Sequence, residues 1–473
     1  MKKIILFSVM AGMFISSCRK IEVDGDGGDS TTKPGGNETE VVLEGKITAD
    51  MKLTADKKYI LRKNVLVTNG ATLTIEPGTT IYGETSSKGY LVITRGAKIN
   101  AEGTADKPIV FTSQADQFGQ AKSGDWGGIV ILGKAAANSS FNGQAGVGEI
   151  EGGVNDGEGN GLYGGGANPD NNDNSGVLKY VRIEYAGYAF LPDKELNSLT
   201  LGAVGKGTKI EYVQVSYALD DAIECFGGAV DLKHIVINRT LDDDLDTDNG
   251  FSGKVQFVII MRDSARADIS KSESFESDND GNGSTLTPQT SAVYSNITVL
   301  GPRATAANVG NSLFLAGAQI RRNSSISIFN SVFVGWPKGI LIDDSKGTAT
   351  SENVVGGKVA IKNVTLAGCA KPLDYAKKDG GADWGLTALT DWFNTAANKN
   401  AILAAQADVK LKDPFNYKAP DFTPEAGSPL TAADAASFAD AKLGGFEQVA
   451  FRGAVGVEGT PAANWWKGWT SFK

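Results

Sequence analysis

The 473-residue chain is poor in the residues most enzymes and metal centres use: it has one histidine, three cysteines and five methionines. A single imidazole excludes His-rich zinc centres and leaves little material for Ser-His-Asp hydrolysis, so any chemistry must come from carboxylates, Lys or Arg. Cys225 and Cys369 are far apart and each lies beside apolar residues, which excludes a disulfide framework and predicts buried free thiols. Cations are also in deficit: 46 Lys and Arg stand against 55 Asp and Glu, for a net charge of −9. Binding to a phosphate backbone draws its affinity from clustered basic residues, so nucleic acid is not an expected partner. The apolar run Ile4–Ile15 is too short to span a bilayer.

What the chain has in quantity is glycine, at 59 positions, together with 41% hydrophobic and 21% charged residues. That mixture is too apolar for a disordered chain and too rich in turn residues for a helical bundle, so many short strands joined by glycine turns are expected. The N-terminus carries an address. Lys2-Lys3, the apolar run and Ser16-Ser17 before Cys18 form a charged region, an apolar region and a small-residue cleavage site. The Ile-Ser-Ser-Cys ending resembles the lipobox of bacterial lipoproteins, which implies cleavage after residue 17 and acylation of Cys18 as a membrane anchor. An ordinary secretory signal is the alternative. Residues 18–44 read as a flexible acidic tether, with Glu22, Asp24, Asp26, Asp29 and Glu38 among Gly, Ser and Thr. This tether resembles the export signal of surface lipoproteins in Bacteroidota, which implies an outer-membrane lipoprotein facing the cell exterior; the alternative is a periplasmic spacer.

Past residue 45, β-branched runs recur between Gly, Asn and Asp turns, and the chain repeats itself. Leu178-Lys-Tyr-Val-Arg-Ile-Glu-Tyr-Ala186 matches Ile210-Glu-Tyr-Val-Gln-Val-Ser-Tyr-Ala218 at an offset of 32. Leu219-Asp-Asp-Ala-Ile-Glu-Cys-Phe-Gly-Gly228 matches Leu241-Asp-Asp-Asp-Leu-Asp-Thr-Asp-Asn-Gly250 at an offset of 22. Strand repeats of this length, lengthened by insertions, predict an all-β fold, a single-stranded parallel β-helix in which each coil buries its apolar face against its neighbours. Asn296, Asn330 and Asn363 each precede a strand, as expected for a turn that stacks from coil to coil and tolerates left-handed backbone angles. We place the β-helix at 45–382, with a Gly- and Asn-rich insertion at 136–176. Residues 383–473, with helical composition at 384–393 and 397–408 and the aromatic ending NWWKGWTSFK, are expected to cap the last coil. Trp465, Trp466 and Trp469 are cap residues on this view, with sugar stacking as the alternative.

The segments DWGGIVILG (125–133), LDDAIECFGG (219–228), DNGFSGKVQF (248–257) and WWKGWT resemble a family of bacterial extracellular right-handed parallel β-helix lipoproteins with a pectate-lyase-like fold. The right hand of the coil follows from this resemblance, which covers nearly the whole chain after the tether and implies no particular activity.

An offset of 22 places Asp220 above Asp242 and Asp221 above Asp243 at the strand spacing of about 4.8 Å. Two like charges at that distance repel by roughly 3 kcal/mol at an effective dielectric of 20. Asp244, Asp246 and Asp248 extend the cluster, and Ca²⁺, which takes six to eight oxygen ligands, is the expected neutralising partner. The alternative is an acidic turn handled by solvent, by Lys233 or Lys254, or by a retained proton. A second acidic loop, Glu276–Gly283, carries Asp278, Asp280 and Asn282 in the manner of half an EF-hand, but Gln289 stands where a bidentate Glu belongs, so it is a half-site or a polar turn.

Tyr180, Tyr212, His234 and Phe257 fall in one outward column, with Arg182 and Gln214 alongside. Rings beside hydrogen-bonding groups suit a glycan, although stacked aromatics can equally stabilise a sheet or lie under another segment. The pair Asp220-Asp221 resembles the paired acid of polygalacturonases, but the Gly-His-Gly and Arg-x-Lys elements of that family are absent. Together these features predict a non-catalytic binding or adhesion protein for extracellular glycan or another nutrient. The alternatives are a calcium-dependent polysaccharide lyase, with Lys233 or Lys254 as base beside Asp242, Asp243, Asp246 and Asp248, and a structural component or partner of an outer-membrane transporter.

Overall fold

Short runs in which every second residue is β-branched or aromatic, broken by Gly, Asn or Asp, can bury one face only against another copy of themselves. The computed structural model, which describes residues 39–191, 194–381 and 383–473, shows how this chain does so. Cys18 and residues 19–38 of the tether lie outside the described residues. Successive runs stack in parallel into a single 26-stranded array that forms a right-handed parallel β-helix. The repeat offsets are the ladder registers. Leu178 pairs with Ile210, 32 residues on, and Ile210 with Leu232, 22 on. Ile223 likewise pairs with Leu245.

Each coil presents three faces. The strand Lys209–Ser216 supplies the first face with its opening residues and the second with the rest, and Ile223–Phe226 supplies the third. A residue with positive φ makes the corner between the first two faces. Tyr180, Tyr212, His234 and Phe257 adopt this left-handed conformation, and Asn296, Asn330, Asn363 and Lys399 continue the same column. The aromatic column and the asparagine turns are therefore one feature of the coil. Asparagine tolerates the left-handed region through its short polar side chain; the larger residues are held there because the strands on either side pair on both edges. Inside, Val181, Val213, Ile235, Val258 and Ile297 stack, as do Ile183, Val215, Ile237, Ile260 and Val299, all fully buried. Each such side chain contributes about 1.5–3 kcal/mol relative to exposure. Cys225 and Cys369 are buried free thiols.

The boundaries differ from those expected. Coiling begins inside the assigned tether, because Thr39–Ile47 already pairs with Lys57–Val67. It also outlasts residue 382: Ala401–Leu403 pairs with Thr365–Ala367, so the stretch 397–408 contributes a strand flanked by 3-10 turns and no α-helix. The helix Gly385–Phe393 does form, and it closes the last coils with Leu389 and Phe393 fully buried. The aromatic ending does something else. Rather than capping the last coil, the chain turns back after residue 412 and runs along the corner column toward the earlier coils.

The insertion folds as two small hairpins, Ser140–Phe141 with Gln144–Ala145 and Gly148–Glu149 with Leu162–Tyr163. Ile150, Val154 and Tyr163 pack on Val130, Leu132 and Phe226 of the third face. The chain re-enters the coil at Gly176, where φ is +111° and a Cβ would lie 1.9 Å from the Ile99 carbonyl oxygen, so only glycine fits.

Candidate functional site

The turn that leads from the second face to the third is acidic in three successive coils. In the first of them, Asp220 and Asp221 precede the strand Ile223–Phe226, from which Glu224 points outward. In the next, Asp242 and Asp243 precede Leu245–Asp248, with Asp246 outward; in the third, Glu273 precedes Phe275–Ser277, with Glu276 outward. Parallel pairing sets Glu224 beside Asp246 and Asp246 beside Glu276. The two aspartate ladders touch directly, since the Asp243 amide donates to Asp221 Oδ1 at 2.9 Å. One coil further on, the Glu273 amide donates to Asp243 Oδ1 at 2.6 Å.

These side chains line a cleft of about 230 Å³. Glu151 from the insertion and Glu195 and Asn197 from the preceding turn close one side, and Ser270, Lys271 and Arg321 the other. Three sets of carboxylates have oxygens within 4.8 Å of one another: Asp220, Asp221 and Asp242; Asp221, Glu224 and Asp246; and Asp243, Glu273 and Glu276. Burial, reinforced by neighbouring carboxylates, pushes the pKa values up. Asp242 and Glu276 rise to about 8 and Asp243 to about 7. Asp220, Asp221, Glu224, Asp246 and Glu273 move well above the usual carboxylate range for the same reason. Partial compensation comes from Asn197, which donates to Glu224, from Ser270 to Asp242 at 3.0 Å, and from Arg321, which pairs with Glu276. Asp242 Oδ1 and Asp246 Oδ1 are shielded from solvent and have no hydrogen-bond partner. The three clustered sets offer carboxylate oxygens alone, a donor type that suits a hard divalent cation better than zinc or copper.

Of the seven aspartates expected to bind metal, five come together here. Asp244 turns away: it pairs with Arg262 at 3.0 Å, both side chains being fully buried, and Arg262 stacks over Phe314. Asp248 sits one pleat beyond the cleft and accepts from its own neighbour, the Asn249 amide. Lys233 and Lys254 belong to the first face, where they bond Glu447 at 2.8 Å and the Gly444 carbonyl at 2.6 Å, so neither serves the cleft as a base. The cations at the cleft are Lys271 and Arg321. The 278–282 loop is a polar turn: Asp278 is paired with Arg321 and Arg322, Asp280 accepts from Asn282, Ser284 and the Ser284 hydroxyl, and Gln289 donates to the Asn323 carbonyl.

Glu224, Glu273 and Glu276 were absent from the expected ligand set, although the sequence carries a signal for them. Glu273-Ser-Phe-Glu-Ser-Asp278 repeats Asp243-Asp-Leu-Asp-Thr-Asp248 at an offset of 30, the coil being lengthened by its turn. Glu151, Glu195 and Arg321 join only through tertiary packing.

The expected glycan face is partly covered by the returning chain, with Tyr180, Arg182, Tyr212 and His234 half-buried. Tyr180, Tyr212, His234 and Phe257 do stack, at centroid separations of 4.5, 4.4 and 5.1 Å. Trp469 stands edge-on to Tyr180 and Tyr212, and Trp465 packs on His234. Gln214 is fully buried beneath Ser471, and Arg182 is paired with Glu184. Burial lowers the His234 pKa to about 3, leaving a neutral ring in a stack. An open aromatic column is apolar surface that the returning chain covers, so Tyr180, Tyr212, His234, Phe257 and Gln214 pack against protein, and Arg182 is held by Glu184 of its own strand.

Parallel coils with an acidic cleft on one flank define the class: a parallel β-helix with a candidate cation site on its third face. The sequence profile of the pectate-lyase-like β-helix domain matches residues 45–412, and the chain belongs to that family. No curated protein and no solved structure matches the chain significantly.

Proposed function

We propose that this protein is a non-catalytic binding protein whose acidic cleft takes Ca²⁺, and that the bound ion carries its contact with an anionic extracellular glycan. The observation that supports this is the cleft itself, where carboxylates from three coils converge and two buried oxygens, on Asp242 and Asp246, lack a partner. Mutual repulsion opposes the fold unless protons or a cation intervene, and a hard cation satisfies many oxygens at once. With the aromatic column covered, a sugar carboxylate completing the coordination of the ion is the route to a glycan that remains. Acylation at Cys18 would tether the molecule to the outer membrane, facing the cell exterior, and would allow it to serve an outer-membrane transporter.

Calorimetric titration of the cation-free protein with Ca²⁺ tests the first step. Saturable binding is expected, accompanied by a rise in melting temperature, and both should disappear in Asp221→Ala with Asp243→Ala. An unchanged melt with and without chelator removes the site. Polygalacturonate tests the second step: binding that requires Ca²⁺ and yields no product is expected. Lys271 at the cleft rim favours a second reading, a calcium-dependent lyase, which unsaturated products absorbing in the ultraviolet would establish instead.

A further inference from the structure

The charge in the acidic cleft exceeds what one divalent ion offsets. Nine carboxyl side chains line it against two cations, Lys271 and Arg321, an excess of seven negative charges when all are ionised. Neither cation is wholly available to the cleft: Lys271 donates to the Ser312 carbonyl at 3.0 Å, and Arg321 divides itself between Glu276 and Asp278. No aliphatic or aromatic side chain lines the cleft, so an organic cation has nothing to lay its carbon chain against, and inorganic ions fit it better. The three carboxylate sets resolve into two centres. Asp220, Asp221 and Asp242 share Asp221 with the set that adds Glu224 and Asp246, and these describe the first; Asp243, Glu273 and Glu276 share no residue with either and form the second. Each centre holds a buried carboxylate left without a donor. In the first, Asp221 is 8% exposed; its Oδ1 takes the Asp243 amide, and no group among the described residues donates to its Oδ2. In the second, Glu273 is 2% exposed, and no group among the described residues donates to its carboxylate. The centres lie one coil apart, about 4.8 Å. The middle coil gives Asp242 and Asp246 to the first and Asp243 to the second, so negative charge stands between two ions bound there.

Resting on the reading of the cleft as a calcium site, we propose that it holds two divalent cations, a tighter one at the first centre and a weaker one at the second, and that an anionic sugar binds only when both are in place. The second ion is the weaker because it must share Glu276 with the Arg321 guanidinium, a like charge. Its effect on an anionic ligand follows from the charge: one divalent ion leaves the lining five negative charges in excess, and two leave three. A Ca²⁺ ion held by three carboxylates also has positions left for a fourth, which a sugar carboxylate can supply. Equilibrium dialysis of the cation-free full chain against radioactive Ca²⁺ counts the ions. Two per chain are expected, with dissociation constants at least tenfold apart. Glu273→Gln, which keeps the shape of the side chain, should bind one ion, the tighter. Trigalacturonate, followed by calorimetry, should bind the unaltered chain only at Ca²⁺ concentrations that fill both centres, and should not bind Glu273→Gln. One ion per unaltered chain at saturation would overturn the proposal and leave the calcium reading standing, whereas no bound ion would overturn both. Trigalacturonate binding to the singly loaded chain would overturn the link between the second ion and the sugar. The count on the unaltered chain decides the matter if Glu273→Gln does not fold.

Discussion

The corner column and the acidic cleft are built by the same operation, one residue type stacked on itself every coil, and they come out with opposite energetics. At the corner the stacked groups are rings and primary amides. Neighbouring rings attract, and each amide finds a main-chain partner on the returning segment. On the third face the stacked groups are carboxylates, which repel at the same spacing and are left with unpartnered oxygens. A repeat therefore amplifies whatever it carries. The neutral column is satisfied by the chain itself, and the charged one calls for something from outside.

The sharpest test of that contrast lies beside the cleft, where one aspartate has been supplied with an internal partner. Arg262→Ala leaves Asp244 charged in a site with no solvent access, and a loss of about 3–5 kcal/mol is expected from urea unfolding. A loss below 1 kcal/mol would mean that Asp244 is no more dependent on a partner than its neighbours in the cleft. Next comes the corner. Trp469→Ala removes a ring that is 1% exposed and touches two tyrosines, and should cost about 3 kcal/mol by the same measurement.

The cleft predicts a smaller effect of unusual sign. Asp242 and Glu276 are raised to about 8 and Asp243 to about 7, above the value near 4 of an unfolded carboxylate, so the folded state holds the extra protons. Their favourable contribution is complete below about pH 4 and is lost as pH rises through 7 to 8. Cation-free protein should therefore be more stable at pH 6 than at pH 9, by on the order of 2 kcal/mol. Asp246→Asn should flatten the slope, and saturating Ca²⁺ should remove it; a melting temperature that is independent of pH in chelator would remove the electrostatic contrast. The smallest effect belongs to Lys233→Ala. Its pair with Glu447 is half exposed, so stability should change by less than about 0.5 kcal/mol.

Much of the coil was legible because it is written in local terms. Val213 and Val215 align with Ile235 and Ile237 in the chain as they do in space, and the paired Asp-Asp turns declare their own register. The third acidic coil was harder to see because the turn before Glu273 lengthens the offset to 30, hiding a repeat that is otherwise intact. Asp244 departs from the expected ligand set for a different reason: in the turn before the strand the alternation of inward and outward side chains lapses, and Arg262, the partner that draws Asp244 inside, comes from the following coil, whereas Asp248 keeps the outward phase of its strand and simply lies one pleat past the cleft. The fate of Tyr180, Tyr212 and His234 lay beyond any local pattern, since Trp465 and Trp469 stand more than two hundred residues away.

The sequence by itself determined the coil, its registers and the column of like groups at each corner, because strand alternation and parallel pairing act between residues whose spacing along the chain repeats. Only the tertiary structure decided which column stays open. Covering the aromatic corner depended on where one irregular, non-repeating segment came to lie, and that is settled by the apolar area and main-chain hydrogen bonds it gains there, which no periodicity records.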